Sequence, residues 1–358
     1  MTGPQLLTSD RDQRAPGSDP LLEVRNLSVY LPGRRDEEVQ ILDDVSFSVD
    51  RGMTLGVIGE SGSGKSMTAL ALLRLLPPGG RIEGQILLDG TDLTALPNKE
   101  MKNVRGRRIS MIFQEPMTAL DPVFTVGRQI SQVLRAHHDV SRSAAREQST
   151  AMLDAVGIPD PRRRFGEYPH QLSGGMRQRV MIAMALIAKP ELLIADEPTT
   201  AVDITIQAQL LELLAELNSK SNTAIVLISH DIAVVSEVCE EVLVMYAGQV
   251  VESSTTNSLL ERPRHPYASG LMWAVPRIEA RGRDLYAIPG RVPLPSEVPD
   301  GCRFHPRCAH ATSACVHNRQ EVTQTTRDPH RHLVRCGREP DLELPGIHDR
   351  PPSLDATS

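Results

Sequence analysis

The residues Gly59-Glu60-Ser61-Gly62-Ser63-Gly64-Lys65-Ser66 bring glycines and a Lys-Ser pair together at a spacing suited to phosphate chemistry. Glycines let backbone N–H groups turn inward around a polyphosphate, and a helix that starts at the loop adds partial positive charge. Lys65 would reach the β- and γ-phosphates, and Ser66 would hold Mg²⁺. Four further positions fit the same chemistry. Asp196 suits a Mg²⁺ shell, and Glu197 can polarise an attacking water as general base. Gln114 can touch Mg²⁺ or position water, and His230 can contact a γ-phosphate while keeping water and Glu197 in line. Taken singly, each is an ordinary polar loop residue, and the Asp-Glu pair is an ordinary capping feature. Their weight comes from occurring together with the glycine loop.

The flanking elements support that reading. Thr54 to Ile58 is a short apolar run, predicted as a buried strand, and Met67 to Leu76 is a helix stopped by Pro77 and Pro78. Strand, glycine loop and helix is the order this motif requires. Ile109 to Phe113, Leu192 to Ala195 and Ala224 to Ile228 are further apolar runs, and they end at Gln114, Asp196-Glu197 and Ser229-His230. Polar residues at the C-terminal ends of strands are where open α/β sheets meet ligands. Upstream, Leu22 to Arg25, Leu27 to Tyr30 and Val45 to Val49 alternate as short strands, and Tyr30 is placed where a ring could stack on adenine. Between about 115 and 179 strand signals give way to helical ones, which predicts a helical subdomain. Near its end stands Leu172-Ser173-Gly174-Gly175-Met176, where Ser173 has the position of a helix N-cap and the glycines leave N–H groups accessible. This is a second anion-seeking helix start.

The totals set limits. A chain of 358 residues suits one large domain plus an appendage, and a net charge of −6 argues against a general nucleic-acid binder. No run approaches the roughly 18 apolar residues that span a bilayer, and the first twenty residues lack the pattern of a signal peptide. Synthesis in the cytosol is therefore expected, with membrane association through a partner. Cys302, Cys308, Cys315 and Cys336 cluster late in the chain, whereas Cys239 reads as a buried small apolar residue. Without an export signal, four thiols point to a metal site before disulfides: a [4Fe–4S] cluster, a structural zinc, or simply reduced cysteines. His305, His310 and His317 interleave with them as substitute ligands. Residues 262–338 carry 13 Arg, no Lys and 6 Asp or Glu. That balance suits an anionic cluster, an acidic lipid or partner surface, or a solvated basic face.

Together these motifs resemble the nucleotide-binding subunits of ABC transporters over about residues 21 to 255. The phosphate loop corresponds to Walker A, Gln114 to the Q-loop, 172–176 to the signature, Asp196-Glu197 to Walker B and its glutamate, Asp203 to the D-loop and His230 to the switch histidine. Val202 stands where the family often has leucine. The resemblance implies a P-loop NTPase fold of class α/β, with a mixed parallel sheet, an antiparallel β subdomain and a helical subdomain. It implies ATP and Mg²⁺ as ligands and Tyr30 as the adenine-stacking ring. It also implies a head-to-tail pair of homologous ATPase chains, in which Ser173, Gly174, Gly175 and Met176 complete the partner's ATP site. Tyr168-Pro169-His170-Gln171, Arg262 to Tyr267, Ile288-Pro289-Gly290 and Gly301 to Cys308 are similar to the oligopeptide/dipeptide (and nickel) importer ATPases.

That branch implies two membrane-spanning permease subunits, an extracytoplasmic binding protein and a peripheral place on the cytoplasmic side of the cell membrane. Peptides are favoured as cargo, with nickel or another small solute as the competitor, since this subunit does not itself contact the cargo. An iron–sulfur cluster in some members puts [4Fe–4S] ahead of zinc for the four cysteines. A soluble ABC ATPase of DNA repair or translation is the rival, but such chains commonly carry two cassettes or basic elements. A redox-responsive module gated by the cysteines is another, and the signature nearly excludes a small-molecule kinase. The expected organisation is a disordered segment over 1–20, an ATPase domain over 21–258, an extension over 259–340 and a flexible tail over 341–358.

Overall fold

A computed structural model describes residues 19–33, 37–114, 120–198, 204–274, 287–325 and 332–348. Residues 1–18, 349–358 and Asp203 lie outside the described residues, and with them most of the expected disordered start and the D-loop position.

Two sheets organise the chain. The larger runs β11-β12-β10-β9-β3-β8-β7-β6. Its parallel part comprises β3 (Thr54–Ile58), β6 (Ile109–Ile112), β7 (Leu192–Asp196), β8 (Ala224–Ser229) and β9 (Glu241–Tyr246). Every residue of β3, β7 and β8 is buried. Both faces of these strands are covered, which is why they read as unbroken apolar runs rather than as alternating ones. Leu193, Ala195, Ile225, Leu227 and Val244 enter one core, while Leu192, Ile194, Val226, Ile228 and Met245 enter the other. The second core is closed by an antiparallel sheet ordered β2-β1-β4-β5, made of β1 (Leu22–Pro32), β2 (Glu38–Val49), β4 (Arg81–Leu88) and β5 (Thr91–Asp92). The first is closed by helices, among them Val126–His137, Arg142–Ala155, Gly174–Leu186 and Ile204–Ser221.

Several elements depart from the sequence expectation. Leu22 to Arg25 and Leu27 to Tyr30 belong to one strand, whose register shifts near Asn26, a residue with φ 49. The helix after the glycine loop spans Lys65–Leu72 and does not reach Pro77. It closes with Arg74 in the left-handed region (φ 50), Arg74 N donating to Ala71 O and Leu75 N to Leu70 O. That pairing satisfies the last helical carbonyls before proline is met. The hairpin of β9 and β10 (Gln249–Thr255) was not anticipated, nor were β11 (Thr323–Gln324) and β12 (Leu333–Val334), which extend the large sheet.

The stretch 341–348, expected to be a flexible tail, is docked. Ile347 N donates to Leu260 O, Ser269 Oγ to Pro345 O, and Trp273 Nε1 to Gly346 O. Backbone groups that find partners on a packed helix are held there. The basic extension is likewise turned inward. Arg303 and Arg335 are 9% and 3% exposed and pair with Asp43 and Asp44, and Arg264 lies against Glu339. For these arginines the reading of a solvated or lipid-facing surface is corrected, because their charge is matched within the fold.

Candidate active site and thiol pocket

The glycine loop leaves β3 at Ile58 and enters its helix at Lys65. At Gly59 a Cβ would stand 2.3 Å from Met245 O, so no side chain fits. Gly64 has φ 105 at the helix N-cap, a conformation that favours glycine. Ser63 N donates to Glu60 O (3.2 Å), Gly248 N donates to Ser63 O (2.8 Å), and Ser63 Oγ is buried without a hydrogen-bond partner among the described residues. Ser61 and Gly62 are exposed at the tip. Lys65, 5% exposed, turns back on its own loop and donates to Gly59 O (2.7 Å) and Glu60 O (3.0 Å). Burial holds its ammonium below the usual lysine range, partly offset by Glu197, Asp196 and Glu60.

Parallel strand ends bring the remaining groups together. Ser66 Oγ donates to Asp196 Oδ1 at 3.1 Å. Burial raises the Asp196 carboxyl above its ordinary value, the hydroxyl of Ser66 opposes that rise, and the nearby Glu197 charge adds to it. Glu197 sits just past β7 with φ 46, fixed by its N–H donating to Ile228 O at 2.9 Å. Its Oε2 accepts from Gln114 Nε2 at 3.1 Å and lies 3.4 Å from His230 Nδ1. Gln114 arrives from the end of β6 and His230 from the end of β8, while Asp231 caps the next helix by accepting from Ala233 N at 2.9 Å. Strand order therefore converts three residues far apart in sequence into one polar cluster. Lys65, Ser66, Asp196, Glu197, Gln114 and His230 form a site able to grip phosphates, bind a hard cation and activate water.

Tyr30 lies on β1 with Gln40 Nε2 donating to its hydroxyl at 3.3 Å. Arg81 Cζ stands 4.2 Å from the centroid of its ring, so one face of the expected adenine platform carries a guanidinium. Ser173 caps the helix Gly174–Leu186 by accepting from Met176 N at 3.3 Å. Ser173 and Gly174 are exposed, Gly175 and Met176 half-buried.

Sequence reasoning did not foresee how the extension grips the glycine loop. Tyr267, in the helix Pro266–Ala274, has a buried side chain whose hydroxyl oxygen accepts from Glu60 N at 2.8 Å. Arg307 forms a two-pronged ion pair with the Glu60 carboxylate at 2.6 and 3.0 Å. The sequence carried a signal in that His-Pro-Tyr and the Cys302-to-Cys308 segment were both singled out, yet neither named its target.

Cys302, Cys308, Cys315 and Cys336 line one pocket, together with His265, His305 and His310; His317 is not among its lining residues. All four are free thiols, as is the buried Cys239. Burial first, and then the neighbouring sulfurs, pushes the Cys308 and Cys336 thiols up to about 11. Burial also raises Cys302, and Cys239 is pushed up to about 12. His305 Nδ1 lies 2.9 Å from Cys302 O, so that ring engages backbone. Among the described residues, no group of three or more His, Cys, Asp or Glu side chains stands ready to hold a metal ion.

Comparison with known proteins matches residues 42–200 to the family described as ABC transporter, and 251–315 to that described as oligopeptide/dipeptide transporter, C-terminal region. The oligopeptide transport ATP-binding protein OppD of Haemophilus influenzae is 47% identical over 318 residues, 89% of this chain and 97% of that protein. OppD of Escherichia coli is 50% identical over 298 residues, 83% of this chain and 88% of that protein. AppD of Bacillus subtilis, also an oligopeptide transport ATP-binding protein, is 49% identical over 304 residues, 84% and 92% of the two chains. Among solved structures, the dimeric ATP-binding cassette MJ0796 bound to ADP and phosphate aligns with a TM-score of 0.60 at 26% identity, covering 66% of this chain and 98% of that one. With the glycine loop, the strand-end carboxylates and 47–50% identity over 88–97% of these relatives' length in agreement, the chain belongs to the ATP-hydrolysing subunits of ABC transporters, in the oligopeptide/dipeptide branch.

Proposed function

We propose that this chain hydrolyses ATP at the ends of its parallel strands and thereby energises uptake of oligopeptides or dipeptides through a membrane permease. The observation that carries this reading is the convergence of Gln114 and His230 on Glu197, beside Lys65, Ser66 and Asp196. Lys65 exchanges its carbonyl partners for the β- and γ-phosphates, and the loop N–H groups of 59–64 receive phosphate oxygens. Ser66 and Asp196, hard oxygen donors already 3.1 Å apart, fit Mg²⁺, with Gln114 as a third ligand. The cation would neutralise phosphate charge. Glu197 accepts a proton from the attacking water, and Gln114 and His230 orient both. The base stacks on Tyr30.

Ser173, Gly174, Gly175 and Met176, at the start of their helix, complete the site of a second ATPase chain, paired head to tail. No helix among the described residues is long and apolar enough to cross a membrane. We place the chain on the cytoplasmic side of the membrane, attached through two permease subunits that an extracytoplasmic binding protein supplies. Glu197→Gln tests the hydrolytic reading. It should retain ATP and a closed dimer by size exclusion while turnover falls by about 10²–10⁴; unchanged turnover removes Glu197 as the base. Peptide-dependent ATPase activity in proteoliposomes carrying the whole importer tests the cargo, and stimulation by nickel but not by peptides would overturn it.

The donor types around the pocket, four thiols with three histidines beside them, are those of thiolate-bound centres, and the side chains would have to draw together to hold one. We infer a [4Fe–4S] cluster held by Cys302, Cys308, Cys315 and Cys336, with structural zinc as the alternative. A bound centre would stabilise the thiolates that burial now disfavours. Anaerobic purification followed by iron, sulfide and zinc analysis decides. Iron and sulfide in equal amounts support the cluster, one zinc replaces it, and a metal-free protein ends the proposal.

A further inference from the structure

Every polar group of Glu60, in the glycine loop, is engaged. Its carbonyl accepts from Lys65 Nζ and Ser63 N, its N–H donates to Tyr267, and its carboxylate is held by Arg307. Two of these partners come from the extension, 207 and 247 residues away. Neither partner is casual. Arg307 has its side chain 5% exposed and donates further to Pro289 O at 2.6 Å and Ile288 O at 3.3 Å. Its guanidinium lies 5.7 Å from the Tyr246 ring centroid and 5.9 Å from that of Phe304, and the Tyr267 ring packs against both at 4.7 and 5.4 Å. Tyr246 ends β9, the neighbour of β3 in the sheet. The clamp is therefore anchored to the strand pair from which the loop springs.

A glutamate in this place is a liability for a polyanion site. An unpaired carboxylate on the loop would repel the phosphates, and in a partly buried setting that repulsion is weakly screened. Resting on the reading that this loop binds ATP, we propose that Arg307 and Tyr267 are positioning residues of the nucleotide site. Arg307 cancels the Glu60 charge facing the phosphates, and Tyr267 fixes the backbone of the loop from which Lys65 is released to them. The extension is thus a working part of the ATP site of its own chain, in addition to whatever its thiol pocket holds.

Equilibrium titration of the full chain with a fluorescent ATP analogue and Mg²⁺, beside steady-state ATPase kinetics, tests this. Arg307→Ala should weaken nucleotide binding and raise KM about tenfold, with kcat within about twofold. Adding Glu60→Gln removes the stranded charge and should restore affinity to within about threefold of wild type. Tyr267→Phe, which loses only the acceptor, should weaken binding about fivefold. A double variant no tighter than Arg307→Ala alone, or an Arg307→Ala that binds like wild type at unchanged melting temperature, overturns the proposal. Should Arg307→Ala fail to fold, Arg307→Lys and Tyr267→Phe decide: wild-type affinity in both overturns it, and weakening in both supports it. Failure of the wild-type chain to bind the analogue would instead sink the nucleotide reading itself.

Discussion

The phosphate end of the large sheet and the thiol pocket of the extension are both clusters of chemistry-bearing side chains, but they are assembled by opposite means. At the phosphate end, β3, β6, β7 and β8 run parallel in fixed register, and each delivers its polar residue at the same end of the ladder. Backbone hydrogen bonds do the positioning, so the cluster is already closed on itself through Ser66–Asp196 and Gln114–Glu197. The thiol pocket has no such ladder. Its cysteines sit on or beside short helical segments such as His305–Arg307 and Ser313–His317, and these are tied to the cassette by arginines on Asp43, Asp44 and Glu60. One site depends on sheet register and the other on buried charge pairs.

That contrast predicts where each site breaks. Glu197→Gln should abolish most turnover yet leave the melting temperature nearly unchanged, because no ladder bond involves its side chain. Asp43→Ala should do the reverse. Asp43 is 4% exposed and receives Arg303 and Arg319, so its loss strands the buried Arg303 and should cost about 3–5 kcal/mol. Thermal unfolding and limited proteolysis of the extension would reveal it, and a wild-type melting curve would show that the charge pairs do not hold this region.

Acid should separate the two regions more gradually. His265 is fully enclosed, and burial, with help from the Arg335 charge, lowers its pKa to about 3. Its ring Nδ1 accepts from Tyr267 N while its backbone N–H donates to Glu252, the carboxylate that also meets His332. Between about 6.5 and 3 the unfolded chain binds a proton that the folded chain refuses, so stability falls with falling pH by at most about 1.4 kcal/mol per pH unit. Above about 6.5 this contribution is constant. The melting temperature should therefore drop from pH 7 to pH 5, and the drop should shrink in His265→Asn; identical slopes would remove His265 as the cause. The smallest expected effect belongs to Arg81→Ala, which uncovers the Tyr30 ring and should tighten nucleotide binding by no more than about threefold.

How far the sequence spoke follows the same division. Short apolar runs ending in Gly, Gln, Asp or Ser mark doubly covered parallel strands, so the meeting of Gln114, Asp196, Glu197 and His230 at the strand ends was legible. The early helix end was not, because a left-handed Arg74 leaves no mark in composition where a glycine would have. The β9–β10 hairpin turns at Ala247-Gly248 between two apolar runs, a signal that was present and unread. Nothing local points from Arg307 to Glu60 or from Arg303 to Asp43. Their partners lie more than two hundred residues away, and a run of arginines has the same periodicity whether it faces water or the core.

Trp273 is the only tryptophan in the chain, and its indole N–H meets Gly346 O on the docked C-terminal stretch. The helix that carries it is the one whose Tyr267 grips the glycine loop. Intrinsic fluorescence excited at the indole therefore arises from a single chromophore at the contact between that helix and the C-terminal stretch. Release of 341–348 would expose that indole to water and shift its emission to the red, giving an optical signal of docking in the unlabelled protein.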